Sequence, residues 1–165
     1  MRILGVDPGY ERLGVAVVER ETSKPFDKAQ GKEQVIFSEC FKTAAKLEFP
    51  ERLRLVGEEI KKVIKKYRPE ALAIETLLLN TNHKSAMRVS ETRGVIIYEG
   101  ILANLRIFEA SPPQIKVATT GDGRASKEQI NKMVKILVEI DKSKTSDDEL
   151  DAIAIALTAF AHLRS

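Results

Sequence analysis

The sequence predicts an α/β fold: a mixed five-stranded sheet, built from a three-strand antiparallel meander plus two parallel strands and flanked by helices. Three observations predict it. Short apolar runs rich in β-branched residues crowd the beginning of the chain. Helix-period segments then alternate with further short apolar runs. Finally, a length of 165 residues, 43% of them hydrophobic and 31% charged, suits one domain over residues 1–165 whose core needs neither disulfide nor structural metal.

Each element has a local reason. Arg2 to Val6 is apolar and stops at Asp7-Pro8-Gly9, which reads as a buried strand ended by a turn. Leu13 to Val18 is its hairpin partner, and Gln34 to Phe41 completes the meander. Between them, Thr22 to Lys32 mixes Pro, Gly, Lys and Gln without an apolar period, so a long hairpin loop is expected. From Pro50 to Tyr67, apolar residues recur every three or four positions, which predicts an amphipathic helix whose Lys61, Lys62, Lys65 and Lys66 form its solvated face. Ala71 to Ile74 is a short fourth strand closing on Glu75. Asn80-Thr81-Asn82 caps a long helix from His83 to Asn104, and Leu105 to Glu109 reads as the fifth strand. Pro112-Pro113 is expected to break the chain. Ile130 to Leu137 marks another helix, and Leu150 to Leu163 the last.

Composition narrows the function. The single cysteine, Cys40, cannot form an internal bridge and is expected in the core. No run reaches the ~18 apolar residues of a membrane span, and the opening residues run directly into Asp7, so a cytoplasmic protein with no membrane partner is expected. A net charge of +3 permits a polyanionic partner without demanding one.

The acids carry more information. Asp7 and Glu75 each end an apolar strand, and a right-handed crossover between those strands would bring both carboxylates to one edge of the sheet. Ser146-Asp147-Asp148-Glu149 is a capping box, and a favourable dipole by itself accounts for Asp147 and Glu149. Asp151, however, opens the buried stretch of a helix apolar on nearly every side. Asp148, three residues earlier, shares its face, and Asp147, four residues earlier, is the rival partner. Carboxylates converging without compensation repel one another and raise their pKa values, and a divalent cation removes that cost. Oxygen-only ligation suits Mg²⁺, with Mn²⁺ as a substitute. Two such ions ~4 Å apart activate water and stabilise the leaving oxygen of a phosphodiester. Lys116, Arg124 and Lys127 bracket a glycine-containing loop before a helix, where cations and backbone N–H groups can hold phosphate. His83 and His162 read as helix-terminal residues and not as metal ligands.

Taken together, Gly5-Val6-Asp7-Pro8-Gly9 with Leu13-Gly14-Val15-Ala16, then Ala73-Ile74-Glu75, then Asp148-Glu149-Leu150-Asp151-Ala152 resemble the RuvC-type Holliday junction resolvases of the ribonuclease H-like superfamily. The likeness covers nearly the whole chain. It implies a ribonuclease H-like sheet and a homodimeric, Mg²⁺-dependent endodeoxyribonuclease that nicks four-way junction DNA in recombination and repair, working beside a branch-migration motor. By position it assigns metal ligation to Asp7, Glu75, Asp148 and Asp151. It further implies supporting or DNA-binding roles for Lys116, Lys127 and Arg93. The sequence departs from the family in its long loop Thr22 to Lys32, and in Leu78, which stands where the family usually has an aromatic residue. Leu78 is expected to act as an apolar wedge at the crossover. The expected dimer interface is the helix His83 to Asn104, through Ala86, Val89, Gly94, Ile97 and Gly100.

Three other readings compete. Actin-like and sugar-kinase-like ATPases open similarly but need a second lobe, for which 165 residues leave no room. A shorter resolvase-like nuclease acting on RNA shares the opening motif but not Glu75 at the end of a fourth strand. For a non-catalytic nucleic-acid-binding domain, four acids would be an electrostatic liability.

Overall fold

Every strand and all but one of the helices follow the sequence expectation in the computed structural model, which describes residues 1–20, 33–77, 83–140 and 144–163. In chain order the elements are β1 (Arg2–Asp7), β2 (Arg12–Arg20), β3 (Glu33–Lys42), α1 (Phe49–Tyr67), β4 (Ala71–Glu75), α2 (His83–Leu102), β5 (Arg106–Ala110), α3 (Pro112–Thr120), α4 (Lys127–Leu137) and α5 (Asp147–His162). The sheet order is β3-β2-β1-β4-β5. β1, β2 and β3 pair antiparallel, while β1 with β4 and β4 with β5 pair parallel. The long loop Thr22 to Lys32, Leu78 and the capping run Asn80-Thr81-Asn82 lie outside the described residues. No described helix is long and apolar enough to cross a membrane.

Side-chain alternation along the strands separates two cores. On one face Leu4, Val6, Leu13, Val15, Val17, Leu72 and Ile74 meet Val56, Ile60 and Val63 of α1 and Ile96 of α2. On the other face the strands present small residues, Ala16, Ala71, Ala73 and Ala110, to the alanine-rich helix α5. Gly5 and Gly14 belong to this second face. A Cβ at Gly5 would overlap the Ala152 carbonyl oxygen and come within 2.9 Å of the Ala156 Cβ, and one at Gly14 would overlap the Asp148 carbonyl oxygen. Helix α5 therefore rests almost on the sheet backbone. Because Asp7 follows Gly5 by two residues and Glu75 follows Ala73 by two, both acids emerge on the face that α5 covers.

Two expectations need correction. Pro112-Pro113 does not break the chain but opens α3, since a proline in the first turn loses no hydrogen bond and has the helical φ already set. Ser111 caps that helix, its backbone N–H donating to Gln114 Oε1 at 2.9 Å. The second concerns α2, whose expected interface residues mostly face inward. A Cβ at Gly100 would lie 2.9 Å from Ile107 Cδ1 and 3.2 Å from Leu72 Cδ1, Ala86 is buried, and Ile97 packs on the core that α1 and Ile96 cover. Only Gly94 is open, and the exposed apolar side chains of α2 are Met87, Tyr98, Ile101 and Leu102.

The close seating of α5 makes an expected outcome. Gly5→Ala and Gly14→Ala should each destabilise by roughly 1–3 kcal/mol or more, a fall in melting temperature of about 3–10 °C. Gly94→Ala, in open space on a helix, should instead gain up to about 1 kcal/mol. Thermal melts of the three variants measure this.

Candidate active site

Four carboxylates meet where α5 crosses the carboxyl ends of β1 and β4. Val6 pairs with Ile74 in the parallel register, so Asp7 and Glu75 end neighbouring strands side by side. The capping box starts α5 at a fixed place: Ser146 accepts the Glu149 N–H, and the Glu149 carboxylate accepts the Ser146 N–H at 2.9 Å. The other oxygen of Glu149 accepts from Ser38 Oγ of β3 at 2.8 Å, both residues being buried. That long-range pair ties the helix start to the sheet, and the helix then presents Asp148 and Asp151.

Electrostatics identifies the cluster. The Asp7 carboxyl is pushed up from 3.8 to about 7, first by burial and then by the neighbouring charges of Asp151, Glu75 and Asp148. Burial and Asp151 raise Glu75 as well, against the pull of Arg93 and Lys127. Asp147 is absent from both sets of neighbours; it is exposed and accepts from Asn131 Nδ2 at 3.1 Å. Asp148 thus lies near Asp7, whereas Asp147 is bonded to Asn131 of α4.

Basic side chains partly offset this repulsion. Lys127 Nζ donates to Asp151 Oδ2 at 2.8 Å, and the bond raises the lysine pKa above its usual value. Arg12 Nε donates to Asp148 Oδ2 at 3.0 Å, with Nη2 bonded to the same oxygen. Burial pushes the Asp148 carboxyl up, but the hydrogen bonds from Arg12 and Cys40 outweigh it and hold the group below its ordinary value. Among the described residues no three acidic, histidine or cysteine side chains stand as a ready metal-ligand set. Asp148 and Asp151 are drawn instead toward their cations. The donor set still fits a hard divalent ion, because it is all oxygen, partly buried and short of positive charge.

Two cavities share Glu75 and Pro112. The larger, about 360 Å³, runs along α3, α4 and α5 past Lys116, Lys127 and Asp151. The smaller, about 240 Å³, runs past Asp7, Pro8, Leu77 and Val89. Of the remaining expected residues, Arg124 is exposed on the loop before α4 and lines neither cavity. Arg93 was expected at DNA, yet its side chain is only 10% exposed and pairs with Glu109 of β5, since α2 packs this face against the sheet. Leu78 lies outside the described residues. Cys40 is not core: the register sets it opposite Gly14, whose missing side chain leaves it half-buried beside Asp148, with Sγ donating to Oδ2 at 3.3 Å. Arg12 was missed altogether. Its only signal in the sequence is the short Asp7-to-Leu13 turn, which returns a basic residue to the acidic edge.

The raised Asp7 pKa has a measurable consequence. The folded chain holds this proton up to about pH 7, whereas the ordinary carboxyl releases it near 3.8. In metal-free buffer this site therefore stabilises the fold most below about pH 4, and that contribution is lost as pH rises to about 7. Asp7→Asn should flatten this part of the stability profile and raise the melting temperature at pH 8. Melts across pH 4 to 8 in a chelating buffer compare the two proteins.

With this geometry in view, the chain is similar to known proteins along nearly its whole length. The family profile described as "Crossover junction endodeoxyribonuclease RuvC" matches residues 3–159. The protein of that name from Halothermothrix orenii is 39% identical over 157 residues, covering 95% of this chain and 90% of its own length. The "Thermus thermophilus RuvC structure" superposes with a TM-score of 0.85 at 28% identity, covering 99% of this chain and 96% of that one. A structure titled "T. thermophilus RuvC in complex with Holliday junction substrate" gives 0.86 at 27% identity, covering 98% and 94%. The chain belongs to the RuvC family of crossover junction endodeoxyribonucleases.

Proposed function

We propose that this chain is a structure-specific endodeoxyribonuclease that resolves four-way DNA junctions by paired, metal-dependent nicks. The single observation that carries the reading is the convergence of Asp7, Glu75, Asp148 and Asp151 beside a groove walled by Lys116 and Lys127. The family membership and the likeness to a relative solved with Holliday junction substrate support it. Metal dependence is general in this family. Mg²⁺, as two ions held by the four carboxylates, would supply an activated water and neutralise charge on the leaving oxygen.

The chain's own residues then have defined work. Asp7 and Glu75 are fixed by the strands that end in them and would hold position, while Asp148 and Asp151 would give up Arg12 and Lys127 to hold the metal. Lys127, released from Asp151, would meet charge developing on the phosphate. Lys116 faces the same groove and binds a neighbouring phosphate. Arg124, exposed on the adjoining loop, extends that contact toward solvent.

Two opposed strands require two active sites, and a two-fold enzyme suits a two-fold junction. We assign the second copy to the exposed face of α2, where Met87, Gly94, Tyr98 and Ile101 recur at helical spacing. Cooperation with a branch-migration motor and a cytoplasmic location follow from the family resemblance.

Incubation with Mg²⁺ and a synthetic four-way junction, a duplex or an RNA–DNA hybrid should give symmetric nicks in the junction alone, and a chelator should stop them. Preferential cutting of the hybrid would transfer the reading to RNA. Asp7→Asn, Glu75→Gln, Asp148→Asn and Asp151→Asn should each lose about 100-fold or more in cleavage rate while still binding junction, with Asp147→Asn close to wild type. Equal damage at positions 147 and 148 would refute the ligand assignment. Tyr98→Lys with Ile101→Asp should convert a dimer to a monomer by light scattering and abolish paired nicking.

A further inference from the structure

Beside the smaller cavity, a cluster of aromatic and guanidinium groups remains without a role. Tyr10, three residues after Asp7, meets Phe49 edge to face with ring centroids 5.5 Å apart. The guanidinium carbon of Arg88 stands 5.6 Å from the Tyr10 ring centroid and 5.1 Å from that of Phe49. Arg52 also approaches Tyr10, at 5.8 Å, but its donors are occupied by the carbonyls of Ala45 and Leu47 and by Glu11. The other arginines flanking the groove are likewise engaged, Arg12 with Asp148 and Arg93 with Glu109. Arg88 is half-buried and has no carboxylate partner among the described residues.

We propose that Arg88, oriented by the Tyr10 and Phe49 rings, is a binding site for a DNA backbone phosphate on the α2 side of the active site. This rests on the junction-nuclease reading. A strand crossing the carboxylates needs cations on both sides of the scissile phosphate, because the acids repel its neighbours. The larger cavity provides Lys116 and Lys127, whereas among the described residues no lysine or arginine lines the smaller one. Val89, which does line it, is the residue next to Arg88 on α2. A guanidinium held beside two rings loses little freedom on binding, and the group can take a phosphate through two parallel hydrogen bonds. The rings thus restrain a cation whose paired N–H donors a lysine could not supply.

The test titrates the full chain with fluorescein-labelled four-way junction in metal-free buffer across a salt series, beside Mg²⁺-dependent cleavage by the wild type. Arg88→Gln should bind about 5- to 10-fold more weakly and lower the slope of log affinity against log salt by about 0.9, the loss of one phosphate contact. Arg88→Lys should keep the slope and still lose about threefold in affinity, as should Tyr10→Leu, because charge without paired donors restrained by the rings is not enough. Wild-type affinity and slope for a normally melting Arg88→Gln would overturn the proposal. If that variant does not fold, wild-type affinity for Arg88→Lys overturns it instead. A wild type that neither binds nor cuts the junction would refute the functional reading itself, whereas intact cutting with an indifferent Arg88 would refute only this site.

Discussion

Helix α5 touches the sheet backbone at two positions without side chains, and the candidate active site depends on that contact. With Gly5 against the Ala152 carbonyl and Gly14 against the Asp148 carbonyl, the helix cannot rise, slide or rotate without losing its seat. The register makes the same rows functional. Asp7 pairs with Gly14, and Gly14 with Cys40, so an acid, an empty position and a thiol lie in line beneath the helix start. One row away, Gly5 pairs with Ala16 and Ala16 with Ser38, the residue that holds Glu149. Small residues here are a requirement of distance: a sheet faced with leucine would hold α5 several ångströms farther off and separate its acids from Asp7 and Glu75.

Seating the helix this way concentrates negative charge where it is poorly solvated. The strain shows in the Asp7 carboxyl, raised to about 7, and in the recruitment of Arg12 and Lys127 from other elements. These ion pairs are partly exposed, with side-chain accessibilities of 21% for Asp148 and 28% for Asp151, so each is worth little as stability. In the proposed function their value is reversibility. A carboxylate held by a surface guanidinium or ammonium can be surrendered to a harder, more highly charged cation. The deeper pair, Arg93 with Glu109, is different in kind: it bridges α2 and β5 behind Glu75 and moderates that carboxyl from within the fold.

Helix α2 serves both faces of the molecule. Ile96 and Ile97 fill the core above β4, and Val89 borders the smaller cavity, while Met87, Tyr98, Ile101 and Leu102 are left exposed. The sequence therefore shows only a weak amphipathic pattern over this helix, because both sides carry apolar residues for separate reasons. That ambiguity explains why Ala86, Ile97 and Gly100, expected at an interface, pack inward.

Features governed by neighbouring residues were legible in the sequence alone. Strand composition, the Asp7-Pro8-Gly9 turn, the Ser146 to Glu149 capping box and an acid at the end of each central strand determined the mixed sheet and nominated the acidic residues. Proline chemistry was legible too, but ambiguous, since Pro112-Pro113 suits a helix start as well as a break. What only the tertiary structure decided involves partners far apart in the chain. Arg12 and Asp148 are separated by 136 positions, and Ser38 and Glu149 by 111. No local rule selects Asp148 over Asp147, draws Cys40 out of the core or turns Arg93 toward Glu109. Those outcomes follow from the rotation of α5 about its own axis, set by the side chains absent from the sheet at Gly5 and Gly14, and from the packing of α2 on Leu72 and Ile107 of the opposite face.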